Sequence, residues 1–116
     1  MIEFTVMGKI PAKANKYLIS RSRMYKDSSV TAYEESFMFQ VAKVPKNHFN
    51  DKDRLKVNYE FYIDHDCDAD NMEKTVNDCM QKNAIIINDN RIDYHTTRKI
   101  KDKNPRCIIQ IEKLEG

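Results

Sequence analysis

The sequence has 116 residues, enough for one domain with a hydrophobic core and too few for two. A hydrophobic fraction of 41%, with only two glycines and three prolines, predicts an ordered globular fold and excludes a disordered tail. The formal net charge is only +2, but the charges are distributed unevenly along the chain.

The first half of the chain predicts a strand, a loop, a helix and a second strand. Apolar and polar residues alternate over residues 2–6, which is typical of a strand. Residues 11–27 show no period and are rich in Lys, Arg and Ser, so we expect an exposed loop there. A capping-box pattern begins at Thr31, and apolar residues at helical spacing extend this helix to about Lys43. Strict alternation over residues 55–63 predicts the clearest strand of the chain.

The second half predicts one helix and three strands. Apolar residues at i, i+4, i+7 and i+8 predict an amphipathic helix over about 71–82. The stretch AIIIND, residues 84–89, is interpreted as a short buried strand that ends in a turn. Further strands are predicted over about 92–101 and 107–114. We therefore predict a single α+β domain over 1–116, with two main helices packed on a mixed β-sheet.

Four aspartates stand at alternate positions in the stretch DHDCDADN. They are Asp64, Asp66, Asp68 and Asp70. Side chains two residues apart point to the same side of an extended segment, so an extended chain places these four carboxylates on one face. Carboxylates at that spacing repel one another, and we therefore expect a positively charged partner beside them.

Two basic segments, residues 8–26 and 91–106, flank this acidic centre. A solvated surface is the commoner explanation of either segment alone, but the combination is typical of a polyanion-binding surface around a metal site. We expect both segments to contact nucleic-acid phosphates through basic residues that include Lys13, Lys16, Arg21, Arg23, Lys26, Arg98, Lys99 and Lys101.

Calcium, zinc and magnesium are the cations to compare as partners of the aspartates. An EF-hand loop needs Gly at position six and Glu at position twelve, and the stretch supplies neither in either register. Zinc prefers Cys and His, and Cys67 with His65 has no second pair at suitable spacing. A hard cation such as Mg²⁺, which takes oxygen ligands, remains. His48, His65 and His95 are interpreted as surface residues.

The sequence gives no indication of export or of a membrane anchor. The first ten residues contain Glu3 and no leading basic cluster, and no apolar run approaches the roughly 18–20 residues of a membrane helix. The three cysteines are widely spaced and form no C-x-x-C pattern, which indicates neither a disulfide framework nor a zinc knuckle. We therefore expect a cytoplasmic protein.

A longer motif begins inside the aspartate stretch. The pattern D-x-D-N-x-x-K-x-x-x-D, followed by a further aspartate, is formed by Asp68, Asp70, Asn71, Lys74, Asp78 and Asp89. This spacing resembles the RusA family of Holliday junction resolvases, which carry it where a strand passes into a helix. The Gly-Lys-Ile-Pro sequence of residues 8–11, before a basic loop and a helix, is a further likeness. The chain departs from the family at Asn88, where a second aspartate is frequent, and at Asn83 or Ala84, where glycine is found.

The resemblance implies a metal-dependent endonuclease that acts as a homodimer and nicks four-way DNA junctions symmetrically, in DNA recombination and repair. It implies that Asp68, Asp70 and Asp89 bind Mg²⁺, for which Mn²⁺ can substitute, and that Lys74 is a catalytic cation. The chemistry is consistent with these roles, because phosphodiester hydrolysis needs an activated water and neutralisation of the transition-state charge. Lys74 follows Asp70 by one helical turn, so its ammonium group can reach a phosphate oxygen or the attacking water.

The sequence is consistent with two kinds of protein. One is the junction-specific endonuclease, and the other is a non-catalytic nucleic-acid-binding protein whose metal cluster is structural or vestigial. For the endonuclease, we expect the apolar strand before Asp89 to lie beside the 55–63 strand and to place Asp89 next to Asp68 and Asp70. Asp64 and Asp66 are expected to be peripheral.

Overall fold

The computed structural model describes residues 1–11, 17–20, 23–26 and 28–115, and for residues 17–20 and 23–26 it describes the backbone alone. The elements, in chain order, are β1 (Ile2–Met7), β2 (Tyr17–Ser20), β3 (Arg23–Lys26), α1 (Ser28–Gln40), β4 (Leu55–Ile63), α2 (Ala69–Lys82), β5 (Ile92–Lys101) and β6 (Arg106–Lys113). A short 3-10 turn, Asp89–Arg91, precedes β5. In these ranges no helix combines the length and the apolar character needed to cross a bilayer.

Four strands form the main sheet in the order β1-β6-β4-β5. Strand β6 is antiparallel to both β1 and β4, whereas β4 and β5 are parallel. Parallel neighbours need a crossover connection, and here α2 provides it between β4 and β5. The sheet is therefore mixed and carries both helices, which confirms the predicted α+β fold.

The apolar alternation of the strands covers one face of the sheet with the core. In β4 the core-facing residues Val57, Tyr59 and Phe61 are buried, and the residues between them are half-buried. Helix α1 contributes Phe37, whose ring packs edge-on against Phe4 with centroids 6.0 Å apart. Both helices thus pack on the same face, and β4 passes from this core directly into the aspartate stretch.

The predicted loop over residues 11–27 is wrong in part, because it contains a β-hairpin. Strands β2 and β3 are antiparallel, with Tyr17 paired to Lys26 and Ser20 to Arg23. The short sequences YLIS and RMYK contain residues with high β-propensity, but four residues are too few to reveal a period among basic side chains.

The predicted strand over residues 84–89 is also wrong, because this stretch closes the C-terminal end of α2. Ala84 adopts the left-handed conformation, with φ 58°. The amide of Ile85 donates to the carbonyl of Met80 at 2.9 Å, and that of Ala84 donates to Gln81 at 3.1 Å. This pair of bonds is a Schellman motif. It satisfies the helix carbonyls and uses the amides that a sheet would need, while Ile85 and Ile86 still reach the core.

Candidate active site

The aspartate stretch connects the end of β4 to the start of α2. Asp64, Asp66, Asp68 and Asp70 are all exposed, and the residues between them are half-buried. The helix begins at Ala69, so Asp70 already lies in its first turn and the extended ladder ends at Asp68. Asp68 is the N-cap residue, but its carboxylate makes no capping hydrogen bond. That carboxylate therefore stays available to a ligand.

A cleft of about 750 Å³ opens beside this junction. Its lining combines the segment after β1, the start of α1, the aspartate stretch, the first turn of α2 and β5. The lining residues are Lys9, Ile10, Pro11, Ser29, His65, Asp66, Cys67, Asp68, Asn71 and Lys99. Lys99 reaches across from β5, and its Nζ donates to the carbonyl oxygen of Cys67 at 3.1 Å. Asp64 lies beside His65 at 2.8 Å, and this hydrogen bond, aided by the charge of Lys9, lowers the pKa of Asp64. The cleft thus combines carboxylates with cations, as an anionic substrate held near a metal would require.

The basic residues predicted on β5 divide between the two faces of the sheet. Lys99 lines the large cleft, and Lys101 lines a smaller cavity of about 220 Å³ together with His65 and Asp66. Arg98 immediately precedes Lys99 in the strand, so it points to the opposite face, where its Nη1 is 3.4 Å from Glu60. Two of the three predicted residues are therefore near the aspartates.

The other predicted nucleic-acid contacts fall on the hairpin region. Lys13, Lys16 and Arg21 lie outside the described residues. Arg23 and Lys26 belong to β3, whose backbone alone is described. Their part in nucleic-acid binding stays a prediction.

Asp89 lies in the 3-10 turn before β5, and not at the end of a strand beside β4. Strands β5 and β6 pair with the two edges of β4. A strand over residues 84–89 therefore cannot lie beside β4 and place Asp89 next to Asp68 and Asp70. Its amide donates to Oε1 of Gln81, near the end of α2, at 2.6 Å. Asp89 lines a separate cavity of about 150 Å³, together with Tyr59, Glu73, Asn77, Ile92 and His95.

The positions of the three aspartates show how well these residues suit a metal ion. Asp68 and Asp70 offer exposed oxygen ligands at the N-terminus of α2, which suit a hard cation that keeps several waters. Over the described ranges, however, no three Asp, Glu, His or Cys side chains are grouped to hold a metal ion. The donor chemistry fits Mg²⁺, but Asp89 does not line the cleft that contains Asp68. Lys74 is exposed on α2, one turn after Asp70.

A polar cluster that the sequence did not predict surrounds Asp89. Glu73 is buried on α2, and the hydroxyl of Tyr59 donates to Oδ1 of Asn77 at 2.6 Å. Burial, together with the charges of Glu73 and Asp89, raises the pKa of Tyr59, so its hydroxyl stays protonated. One signal was available: Glu73, Asn77 and Gln81 recur at i, i+4 and i+8, which places a polar stripe on one face of α2.

Comparisons with known proteins agree with the motif at the start of α2. The family model described as Endodeoxyribonuclease RusA matches residues 7–112, nearly the whole chain. The chain is also 28% identical over 121 residues to the Crossover junction endodeoxyribonuclease RusA of Aquifex aeolicus (strain VF5), and the match covers 95% of this chain and 90% of that protein. The match includes the residues that line all three cavities, with the aspartates among them. This chain belongs to the RusA endodeoxyribonuclease family.

Proposed function

We propose that the protein is a Mg²⁺-dependent, structure-specific endodeoxyribonuclease that resolves Holliday junctions by paired symmetric nicks. The family match over residues 7–112 carries this proposal. It is supported by the position of Asp68 and Asp70 at the junction of β4 and α2, where both are exposed and Asp68 lines a cleft that contains Lys9 and Lys99.

The proposed roles divide between ligands and cations. Asp68 and Asp70 would hold the metal, with Asp89, which lines a different cavity, as the third ligand that the family motif implies. The metal, when bound, would activate water and neutralise charge on the phosphate. Lys74, exposed one turn beyond Asp70, would contact a phosphate oxygen of the substrate. Lys99 would hold the DNA strand along the cleft that Asp68 lines.

The proposed substrate is a four-way DNA junction bound by a homodimer. Two copies related by a two-fold axis present two clefts, and this arrangement matches the pseudo-symmetry of a junction. Phosphate contacts from the basic residues would supply most of the affinity, and the spacing of the two clefts would supply selectivity for shape.

One observation favours a second candidate, a non-catalytic nucleic-acid-binding protein. Asp89 and Asp68 line different cavities, so three metal ligands do not share one site among the described residues. A vestigial metal site, which no longer binds an ion, would have its carboxylates in separate cavities in this way.

Incubation of a synthetic four-way junction with the protein, followed by denaturing electrophoresis, separates these candidates. A resolvase gives nicks in opposite strands that require Mg²⁺ and disappear in EDTA. Retention of the junction in a native gel without any nick, in Mg²⁺ and in Mn²⁺, would favour the binding protein.

A further inference from the structure

The buried carboxylate of Glu73 connects α2 to β5. Its side chain is only 12% exposed, and each oxygen contacts a different residue of the strand. Oε2 accepts a hydrogen bond from Oγ1 of Thr97 at 2.8 Å, and Oε1 lies 2.7 Å from Nδ1 of His95. Burial of a carboxylate without partners has a high free-energy cost. The two contacts with β5 therefore keep Glu73 buried between α2 and β5.

This contact determines the orientation of the His95 ring. A carboxylate accepts hydrogen bonds and donates none, so the imidazole places its proton on Nδ1. The lone pair of the neutral ring is then on Nε2, on the side away from Glu73. The ring also meets Tyr59 edge-on, with centroids 6.2 Å apart, which restricts its rotation.

His95 is accessible to substrate in spite of this buried support. Its side chain is 54% exposed, and it lines the 150 Å³ cavity that also contains Asp89. Asp89 is a proposed metal ligand, and Glu73, which lines the same cavity, lies about one helical turn from Asp70. An imidazole that a carboxylate orients and that points a lone pair at solvent is a typical general base.

We propose that His95 is a further catalytic residue and that Glu73 is its positioning residue. The inference rests on the proposed phosphodiester hydrolysis. The attacking water transfers one proton to Nε2 of His95 while its oxygen forms a bond to phosphorus. The bond from phosphorus to the leaving sugar oxygen breaks, and that oxygen takes a proton from bulk water. His95 then returns its proton to solvent, so the products are a phosphomonoester and an alcohol.

A purely structural role for the same contact makes a different prediction. If Glu73 only fastens α2 to β5, any group that donates a hydrogen bond from the position of Nδ1 should serve. His95→Asn is such a change, because Asn Nδ2 is the same number of bonds from the backbone as Nδ1, whereas Nε2 is removed. His48→Asn is the matched control, since His48 is exposed and lines none of the three cavities.

The experiment measures single-turnover cleavage of a synthetic four-way junction in Mg²⁺, together with junction affinity and thermal melting. For His95→Asn we expect a fall in rate of about 100-fold or more, the usual contribution of a general base. Affinity and melting temperature should remain those of wild type. His95→Gly should lose the same activity and regain part of it in added imidazole, and His48→Asn should cleave like wild type.

Three results would overturn the proposal. The first is cleavage by His95→Asn at the wild-type rate. The second is a loss of activity in His95→Gly that added Mg²⁺ restores but imidazole does not, since His95 would then be a metal ligand. The third is independent of cleavage: long-range ¹⁵N–¹H spectra of the wild-type protein should place the His95 proton on Nδ1, and a proton on Nε2 alone contradicts the inference. If wild type cleaves no junction, the proposed function fails, and the spectra still report the orientation of the ring.

Discussion

Replacement of Asp70 by Asn should separate catalysis from binding and from folding. Asp70 is exposed in the first turn of α2, where its carboxylate is proposed to bind the metal. The change keeps the shape of the side chain and removes one negative charge near the DNA phosphates. We therefore expect junction cleavage to fall at least about 100-fold, since even indirect partners of a metal are worth 10–100-fold. Junction affinity should stay equal or increase.

The structure indicates a small effect of this change on stability. A carboxylate in the first turn of a helix is worth about 0.3–1 kcal/mol through the helix dipole, and the variant loses that contribution. Relief of repulsion from the exposed Asp68 acts in the opposite direction and is screened by solvent. The free energy of unfolding should therefore change by less than about 1 kcal/mol, and the melting temperature by roughly 5 °C or less.

The assay combines denaturing gels, native gels and thermal melts of wild type, Asp70→Asn and Asp64→Asn. Asp64 is the matched control, because it is exposed in the same stretch but pairs with His65 and lines none of the three cavities. The same change of charge there should leave cleavage intact. If folded Asp70→Asn no longer binds junctions, or cleaves them like wild type, the assignment of Asp70 to metal binding is wrong.

Four further predictions concern affinity and folding. Junction affinity should fall with salt on a log–log plot, with a slope near −0.9 for each phosphate neutralised, and a flat plot in a filter-binding assay would contradict the phosphate contacts. Ala84→Gly should raise the free energy of unfolding in urea by roughly 0.5–1 kcal/mol, because Ala84 has φ 58° and glycine adopts this conformation without strain. Phe37→Ala should lower it by about 3–5 kcal/mol, since Phe37 is fully buried, and a smaller loss would mean that the core collapses around the cavity. Burial raises the pKa of Cys107 to about 12, so a thiol reagent at pH 8 should label Cys67 in the native protein and Cys107 only in denaturant.

The sequence predicts the elements whose hydrophobic period is long. The alternation over residues 55–63 gives β4 with its observed bounds, and the spacing of apolar residues gives α2 within two residues. The hairpin of β2 and β3 was missed, because four-residue strands are too short for periodicity to outweigh their basic composition. The apolar run that opens the stretch 84–89 predicts a strand there, because a left-handed Ala84 that ends a helix has no composition signal.

The candidate site was predictable only where its residues are adjacent in sequence. Asp68 and Asp70 lie where the strand-to-helix transition was expected. Asp89 lies elsewhere, since its position depends on which strands flank β4, a tertiary property that local patterns do not contain. The buried Glu73 and its contact with His95 were missed for the same reason: they join residues that are 22 positions apart, on a helix and a strand.

A resolvase cuts both strands of a junction symmetrically, and we propose that this chain does so with the aid of Mg²⁺. A supercoiled plasmid that extrudes a cruciform reveals such cutting, because paired nicks across one junction linearise the plasmid, whereas isolated nicks only relax it. We predict linear product with wild type in Mg²⁺, none in EDTA, none with Asp70→Asn, and none on a plasmid without the cruciform. Relaxed circles as the only product, or equal cutting of both plasmids, would contradict the proposed resolvase activity.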